Sequence, residues 1–409
     1  MTLATIQEMD YKIDINHLFI FILTFGLFTS FNFITIGSFV LSLKKIIVFL
    51  SIIFMLFKVK NFSIDSTIII YSIFFIIILN LKNLINFNFD ISAIISIFPN
   101  IFFVTLLIKY LNENSLNNFF LKTWIFYGLV MSFLAILQTL GLAPQVQDQV
   151  LGLYSENYYS VDKLNSSSLN RATGLFIDPN FFVVYLLIAS VLNRYIIKNK
   201  YYELLIFLGI LATFSRMGLI IYFFTYLFSN NMLQTIKYTF LLTISFILMI
   251  FILPESFTFF ATDRFLEIFN LQSYLTYNLF DSIDTNSTIA RFLTLIAAKD
   301  IFLQNIWFGI GIGNIRDIYE IYLGFSTVTH NTFIEFFIIS GIFGLILNFY
   351  LIKYLLQAML SDSIIKKQIS VIFLISFSLL STITNLMLFF PILFIKIVDE
   401  ANISKNLNH

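Results

Sequence analysis

A succession of long apolar segments constrains the fold of this chain more than any other feature. A helix that crosses a bilayer needs about 20 mostly apolar residues, and shorter helices can cross within a bundle. Of the 409 residues, 59% are hydrophobic and 11% are charged. Soluble domains average about a quarter of charged residues. We therefore predict an all-α polytopic membrane protein, a single integral membrane domain over 1–409 with about twelve transmembrane helices. The predicted spans are 17–36, 44–57, 66–80, 91–108, 119–141, 179–197, 201–215, 217–229, 237–253, 331–351, 368–383 and 385–397.

The region 201–229 is ambiguous, because its apolar residues fit either one long helix or two half-length helices. The N-terminal residues are polar and lack the basic start and cleavage site of a secretory signal. We expect the first apolar segment to be retained as a helix.

Composition limits the chemistry of this chain. Cysteine is absent, so disulfides, thiolate catalysis and zinc–sulfur sites are excluded. The only histidines are His17, His330 and His409, and a histidine metal cluster is not expected. The net charge of +1 gives no indication of a nucleic-acid partner. We therefore expect no metal and no cofactor.

The basic residues predict the orientation in the membrane. Short cytoplasmic loops are normally enriched in Lys and Arg. A cytoplasmic N-terminus places most lysines inside, whereas Lys44 and Lys45, in the first pair of predicted helices, violate the rule. Lysines expected at the cytoplasmic face are Lys58, Lys60, Lys109, Lys198, Lys200, Lys237, Lys353, Lys366, Lys367 and Lys405.

The arginines show the opposite distribution. Of the six, only Arg194 maps to the cytoplasmic face; Arg171, Arg216, Arg264, Arg291 and Arg316 all map to the outer face. The planar guanidinium can hold two phosphate oxygens at once. This distribution predicts a site for a phosphorylated substrate on the outer side.

Two outer loops follow from this topology. The smaller covers 142–178 and the larger covers 254–330. Loops of this length are usually functional. Within the larger loop, 288–302 has helical apolar spacing behind good N-cap residues, which predicts an amphipathic helix at the membrane surface. A glycine-rich turn over 309–314 and a second helix over 315–323 follow.

Three of the outward arginines lie in informative local sequence. Arg171 precedes a Thr-Gly turn and a helix start at Asp178-Pro179-Asn180, where Asp suits a cap and Pro the first helical position. Arg216 follows Ser215 between two apolar helices, and Arg291 lies on the amphipathic helix. Taken singly, each is also compatible with a solvated or interfacial charge, but together they favour a site. Arg264 and Arg316 are interpreted as loop charges.

His330 is the one histidine of the outer region, at a predicted helix start beside Asn331. A helix N-terminus favours neutral imidazole, the form that a general base requires. Glu335, one turn later, is placed to orient this site or balance its charge. A structural or interfacial histidine is the alternative. Gly309, Gly311 and Gly313 could admit a ligand to the backbone, although such a sequence is usually only a turn.

In order, these segments resemble the O-antigen ligase/polymerase superfamily of bacterial inner membranes. The resemblance covers the second half of the chain, and the first 140 residues match only as membrane helices. The matching segments are Arg171–Asn180, Ser215-Arg216, Arg291 with Gly309, Gly311, Gly313 and Asn314, and His330-Asn331 with Gly341 and Gly344.

The resemblance implies a GT-C-like, multi-spanning glycosyltransferase in the inner membrane with a periplasmic active site. Its donor would be a glycan on undecaprenyl diphosphate, used without metal and with inversion. Arg171, Arg216 and Arg291 would bind the diphosphate, with His330, Arg216 and Arg291 as the catalytic residues. Supporting positions would be Asn331, Glu335, Asn180, Ser215, Gly311 and Gly313.

Three activities remain open. A polymerase would use a second lipid-linked repeat unit as acceptor, with a possible chain-length regulator protein as partner. A ligase would use lipid A–core. The abundance of Phe, Ile and Asn favours a polymerase. A flippase of the same lipid is disfavoured, because its charges are expected at mid-membrane depth and usually with repeat symmetry.

Overall fold

A computed structural model describes residues 14–29, 32–36, 39–59, 66–86, 91–144, 171–176, 178–228, 287–313, 315–324, 327–383 and 385–401. The described parts form a helical bundle with one short β-hairpin. The first half contains α1 Ile15–Leu27, β1 Asn32–Ile36, β2 Phe39–Ser42, α2 Leu43–Lys58, α3 Ser66–Leu79, α4 Leu81–Ile85, α5 Ile91–Glu113 and α6 Asn117–Thr139. The second half contains α7 Pro179–Leu192, α8 Lys200–Ala212, α9 Arg216–Leu227, α10 Ser287–Gln304, α11 Ile315–Leu323, α12 Thr332–Ser340, α13 Gly344–Met359, α14 Ile364–Leu379 and α15 Phe390–Glu400.

Long apolar helices confirm the predicted class, an all-α integral membrane protein. Within the described chain, three helices are long and apolar enough to cross a membrane by themselves: Asn117–Thr139, Pro179–Ile197 and Thr332–Met359. The other predicted spans also correspond to helices, of which α5 has 23 residues, except 237–253, which lies outside the described residues. Most buried apolar side chains between Ile20 and Val398 form one core, and a second, smaller cluster packs α10 and α11 against Ile338 of α12.

The first predicted span, 17–36, is wrong in its second half. Helix α1 ends at Leu27, and residues from Asn32 onward pair with β2 as an antiparallel hairpin. The sequence Asn-Phe-Ile-Thr-Ile is rich in β-branched and aromatic residues, which favour strands. Hydropathy alone does not separate such a run from the end of a helix.

The ambiguous region 201–229 forms two helices that run antiparallel. Glu203 in the first turn of α8 accepts a hydrogen bond of 3.1 Å from the hydroxyl of Tyr226 at the end of α9. Arg194, from the end of α7, forms an ion pair of 3.4 Å with the same carboxylate. The reversal between α8 and α9 therefore lies at the other end of the bundle, immediately before Arg216.

Two ends of the bundle can therefore be defined. The site end contains the last turn of α6, the segment 171–180, the α8–α9 turn and the start of α12. The opposite end contains Arg194 and Glu203, the contact of Tyr110 with Asn16 and the ion pair of Lys366 with Asp399. This separation agrees with the predicted division of Arg194 from Arg171 and Arg216.

The glycine-rich turn connects the end of α10 to the end of α12. The amides of Ile310 and Gly311 donate hydrogen bonds of 2.9 Å to the carbonyls of Ile338 and Ile339 in α12. A Cβ atom at Gly309 would lie 2.2 Å from the Ile339 carbonyl oxygen, so only glycine allows this approach. The end of α10 is thereby held beside the last turn of α12.

Candidate functional site

The Arg171 turn is fixed by a glutamine in the neighbouring helix α6. The side-chain oxygen of Gln138 accepts hydrogen bonds from the amides of Thr173 (3.2 Å) and Gly174 (2.9 Å). Its Nε2 group donates to the carbonyl of Gly174 at 2.9 Å. Gln138 was not among the predicted residues. The sequence feature that points to Gln138 is its amide side chain within an apolar helix, because polar groups inside membranes are rare and usually functional.

Arg171 itself connects three parts of the site end. Its Nε donates a hydrogen bond of 3.2 Å to the carbonyl of Thr213, and its Nη2 donates one of 3.5 Å to Oδ1 of Asn180. Thr213 lies in the α8–α9 turn and Asn180 in the first turn of α7. The guanidinium is therefore held in place, and it remains only partly buried.

The start of α7 and the start of α9 are linked by their polar residues. The hydroxyl of Ser215 donates a hydrogen bond of 2.9 Å to Oδ1 of Asn180. The same Ser215 oxygen caps α9 by accepting from the amide of Gly218 at 3.2 Å. Asp178 caps α7 through the amide of Asn180 at 2.7 Å. The predicted residues Arg171, Asn180 and Ser215 thus form one hydrogen-bonded cluster.

Arg216 is the first residue of α9, directly after this cap, and is partly exposed. Phe214, two residues before it, has a φ of 48°. A non-glycine residue with positive φ is costly and is often found at functional sites. The tight turn brings Arg216 to the same end of the bundle as Arg171.

His330 lies among charges from two other segments. Its pKa is lowered, first by burial and second by the positive charge of Arg291, while the negative charge of Asp178 acts in the opposite direction. Both groups are therefore within electrostatic range of the imidazole. His330 also has a φ of 50°. The structure thus brings the segments of Arg291 and His330 to the start of α7.

Asn331 and Glu335 connect the start of α12 to the end of α14. Asn331 caps α12 through the amide of Ile334 at 3.0 Å and donates a hydrogen bond of 2.9 Å to the carbonyl of Ser378. Glu335 is buried, and its carboxylate accepts a hydrogen bond of 2.7 Å from the hydroxyl of Ser381. These contacts fix the helix that follows His330.

The glycines have a different environment from that of the charged residues. Gly311 is buried, and a Cβ atom there would lie 2.5 Å from Oδ1 of Asn83. Its contacts are with the protein itself, so its described role is in packing. Gly313 is exposed. Arg316 is exposed on α11, and both Arg264 and Asn314 lie outside the described residues.

The fold and this cluster define an integral membrane protein with arginines and a partly buried histidine gathered at one end of a helical bundle. Residues 202–349 match the family model described as O-antigen ligase. The matched range contains Ser215, Arg216, Arg291 and His330, whereas Arg171 and Asn180 lie before it. The match confirms the resemblance to the O-antigen ligase/polymerase superfamily and supports glycan transfer of that type, without distinguishing polymerases from ligases. A comparison with curated proteins found no match.

Proposed function

We propose that this protein is an O-antigen polymerase. It transfers a glycan from undecaprenyl diphosphate to a sugar hydroxyl of another lipid-linked repeat unit, on the periplasmic side of the inner membrane. The observation that carries the proposal is the meeting of Arg171, Arg291 and His330 at one end of the bundle. Without that convergence, the arginines would be separate loop charges.

The arginines would bind and stabilise the leaving group. As the bond between the anomeric carbon and the phosphate oxygen breaks, negative charge develops on the diphosphate. In this proposal Arg171, Arg216 and Arg291 stabilise that negative charge, because preorganised cationic donors lower the energy of a charge that develops in the transition state. In this proposal the guanidinium groups supply the positive charge that a divalent cation supplies in other glycosyltransferases.

His330 would act as the general base. Its lowered pKa keeps the imidazole neutral near pH 7, because burial and Arg291 both disfavour the protonated form. The imidazole takes the proton from the acceptor hydroxyl as the oxygen forms its bond to the anomeric carbon. Undecaprenyl diphosphate leaves from the opposite side, and one displacement inverts the configuration at that carbon. The proton then remains on His330 until it is released to solvent.

A ligase is the second candidate, because the matched family model is described as O-antigen ligase. The same arginines and base would serve both reactions, since only the acceptor differs. A ligase transfers the glycan to lipid A–core. A chain-length regulator is expected as a partner only for the polymerase.

Product analysis with the purified protein tests the proposal and separates the two activities. The protein is incubated with its lipid-linked repeat unit, alone and with lipid A–core. A ladder of lipid-linked oligomers in the first reaction supports the polymerase. Glycan on lipid A–core without oligomers supports the ligase. Transfer in neither reaction, by protein that is folded and monodisperse, would overturn both.

The proposed orientation has its own test, because the chain has no native cysteine. Arg316→Cys places a thiol in the predicted larger outer loop, and Lys200→Cys places one at the opposite end of the bundle from the site; both positions are exposed. A membrane-impermeant maleimide added to spheroplasts is expected to label only the first variant. Labelling of Lys200→Cys alone would place the site in the cytoplasm and contradict the proposed reaction.

A further inference from the structure

Lys44 is a basic residue at the site end that the proposed reaction does not yet use. It lies in the first turn of α2, next to the hairpin, where it departs from the predicted charge distribution. Its Nζ donates a hydrogen bond of 2.9 Å to the hydroxyl of Tyr185 in α7. It also lies 5.3 Å from the ring centre of Phe176, in the segment that begins with Arg171.

Within the described residues, the ammonium group of Lys44 has no carboxylate partner. Burying a charge away from water is costly unless it is paired. The aromatic rings of Phe176 and Tyr185 compensate only in part, since a cation–π contact is worth about 0.5–2 kcal/mol. The start of α2 adds partial positive charge of its own.

The geometry of Lys44 leaves room for an anion. A lysine has three N–H donors, and one described hydrogen bond, to Tyr185, uses one of them. The side chain is partly exposed and is therefore reachable. An anionic ligand would complete both its hydrogen bonds and its charge balance.

Lys44 and the arginine cluster lie on different sides of α7. Asn180 binds Arg171 and Tyr185 binds Lys44. The two positions are five residues apart, which corresponds to about 140° around a helix of 3.6 residues per turn. The segment 171–176 lies over the start of the helix, with Arg171 at one end and Phe176 at the other.

We propose that Lys44 binds a phosphate group of a lipid-linked substrate, at a subsite beside the arginine cluster. This inference rests on the proposed function, which supplies two substrates that can carry lipid-linked phosphate. The phosphate is either the donor's, shared between Lys44 and the arginines, or the acceptor's, held by Lys44 alone. In both cases Lys44 positions a substrate and takes no part in proton transfer.

The test compares Lys44→Met with Lys45→Met, a matched control at the next, exposed position. The probe is undecaprenyl diphosphate, titrated into detergent-solubilised protein and followed by native mass spectrometry. A hydrogen bond to a charged group is worth enough to change affinity by about tenfold or more. Lys44→Met is therefore expected to weaken binding at least about tenfold, and Lys45→Met by less than about twofold.

The number of bound lipids identifies which phosphate is held. Loss of one of two bound molecules in Lys44→Met indicates a separate acceptor subsite. Weaker binding of a single molecule indicates the donor's diphosphate. If Lys44→Met does not fold, Lys44→Gln, which keeps a donor for Tyr185, is measured in its place.

Unchanged binding in Lys44→Met would overturn the inference, whatever the thermal stability of the variant, and would leave Lys44 as a packing residue. Arg171→Ala is measured in parallel. If Arg171→Ala weakens binding and Lys44→Met does not, the proposed Lys44 subsite is wrong and the diphosphate site at the arginines still stands. If neither variant weakens binding, the diphosphate site of the proposed function fails as well.

Discussion

The hydroxyl of Ser215 lies 2.9 Å from the side-chain oxygen of Asn180 and donates a hydrogen bond to it. These residues begin two different helices, and the same Asn180 oxygen also accepts from Arg171. A single carboxamide therefore sets the relative position of α7, α9 and the guanidinium. In the proposed reaction, the distance between Arg171 and Arg216 depends on this contact.

Asn180→Ala is expected to destabilise the fold and weaken the site together. The variant leaves the O–H of the buried Ser215 without its described acceptor, which costs about 1–3 kcal/mol in the free energy of unfolding. Arg171 loses one of its two described anchors, so the KM for the lipid-linked donor is expected to rise. Denaturant unfolding in detergent and steady-state kinetics measure the two effects. A variant with native stability and KM would show that the cluster is not needed.

Arg171→Lys and Arg291→Lys are expected to lower kcat/KM at least about tenfold, although both keep the positive charge. A lysine cannot reproduce the two-pronged contact of a guanidinium with phosphate oxygens. Arg316→Lys, at an exposed arginine of the same region, is the matched control and is expected to stay within about twofold of the wild type. Equal losses in all three variants would show that the effect is not specific to Arg171 and Arg291, and would contradict the proposed phosphate site.

His330→Asn is expected to abolish transfer while leaving the fold and donor binding intact. Asparagine accepts the left-handed backbone of this position, where φ is 50°, more readily than alanine does. It lacks a basic nitrogen, so it cannot take the proton from the acceptor. Activity is measured by product formation and binding by mass spectrometry. Wild-type turnover in this variant would remove His330 from the mechanism.

The rate is expected to fall on acidification through an apparent pKa below 6.5. Burial and Arg291 lower the pKa of His330 from the usual value of 6.5. The reactive neutral form therefore persists to more acidic pH than for a free histidine, and it is lost when the pH falls through the lowered pKa. Removing the positive charge with Arg291→Gln is expected to move the apparent pKa of the residual activity upward. A fall in the wild-type rate with its midpoint at or above pH 6.5 would contradict the assignment of this step to His330.

Gly309→Ala is expected to destabilise the protein more than Gly324→Ala does. Both glycines have positive φ, so both variants carry a backbone cost of about 1 kcal/mol. At Gly309 the new methyl group would lie 2.2 Å from the Ile339 carbonyl oxygen, whereas at Gly324 there is open space. The overlap adds about 1–3 kcal/mol. Thermal unfolding of the two variants compares them; equal stabilities would show that α10 can move away from α12 at little cost.

Local patterns of apolar spacing and capping residues predict most of the helix positions. The amphipathic helix was expected over 288–302 and is observed at Ser287–Gln304, and the following helix 315–323 is observed at Ile315–Leu323. Periodicity and capping residues act within a few residues, so they are readable from sequence. The hairpin 32–42 was missed because its apolar residues have the same hydropathy as a helix end.

The membrane class, the positions of most helices and the residue types able to bind phosphate can be read from the sequence, because each depends on local composition and spacing. The contacts of Gln138 with the Arg171 turn, of Asn180 with the start of α9 and of Lys44 with Tyr185 are visible only in the folded bundle. Those contacts join residues between 35 and 141 positions apart. They depend on how helices pack against one another, which no local pattern encodes.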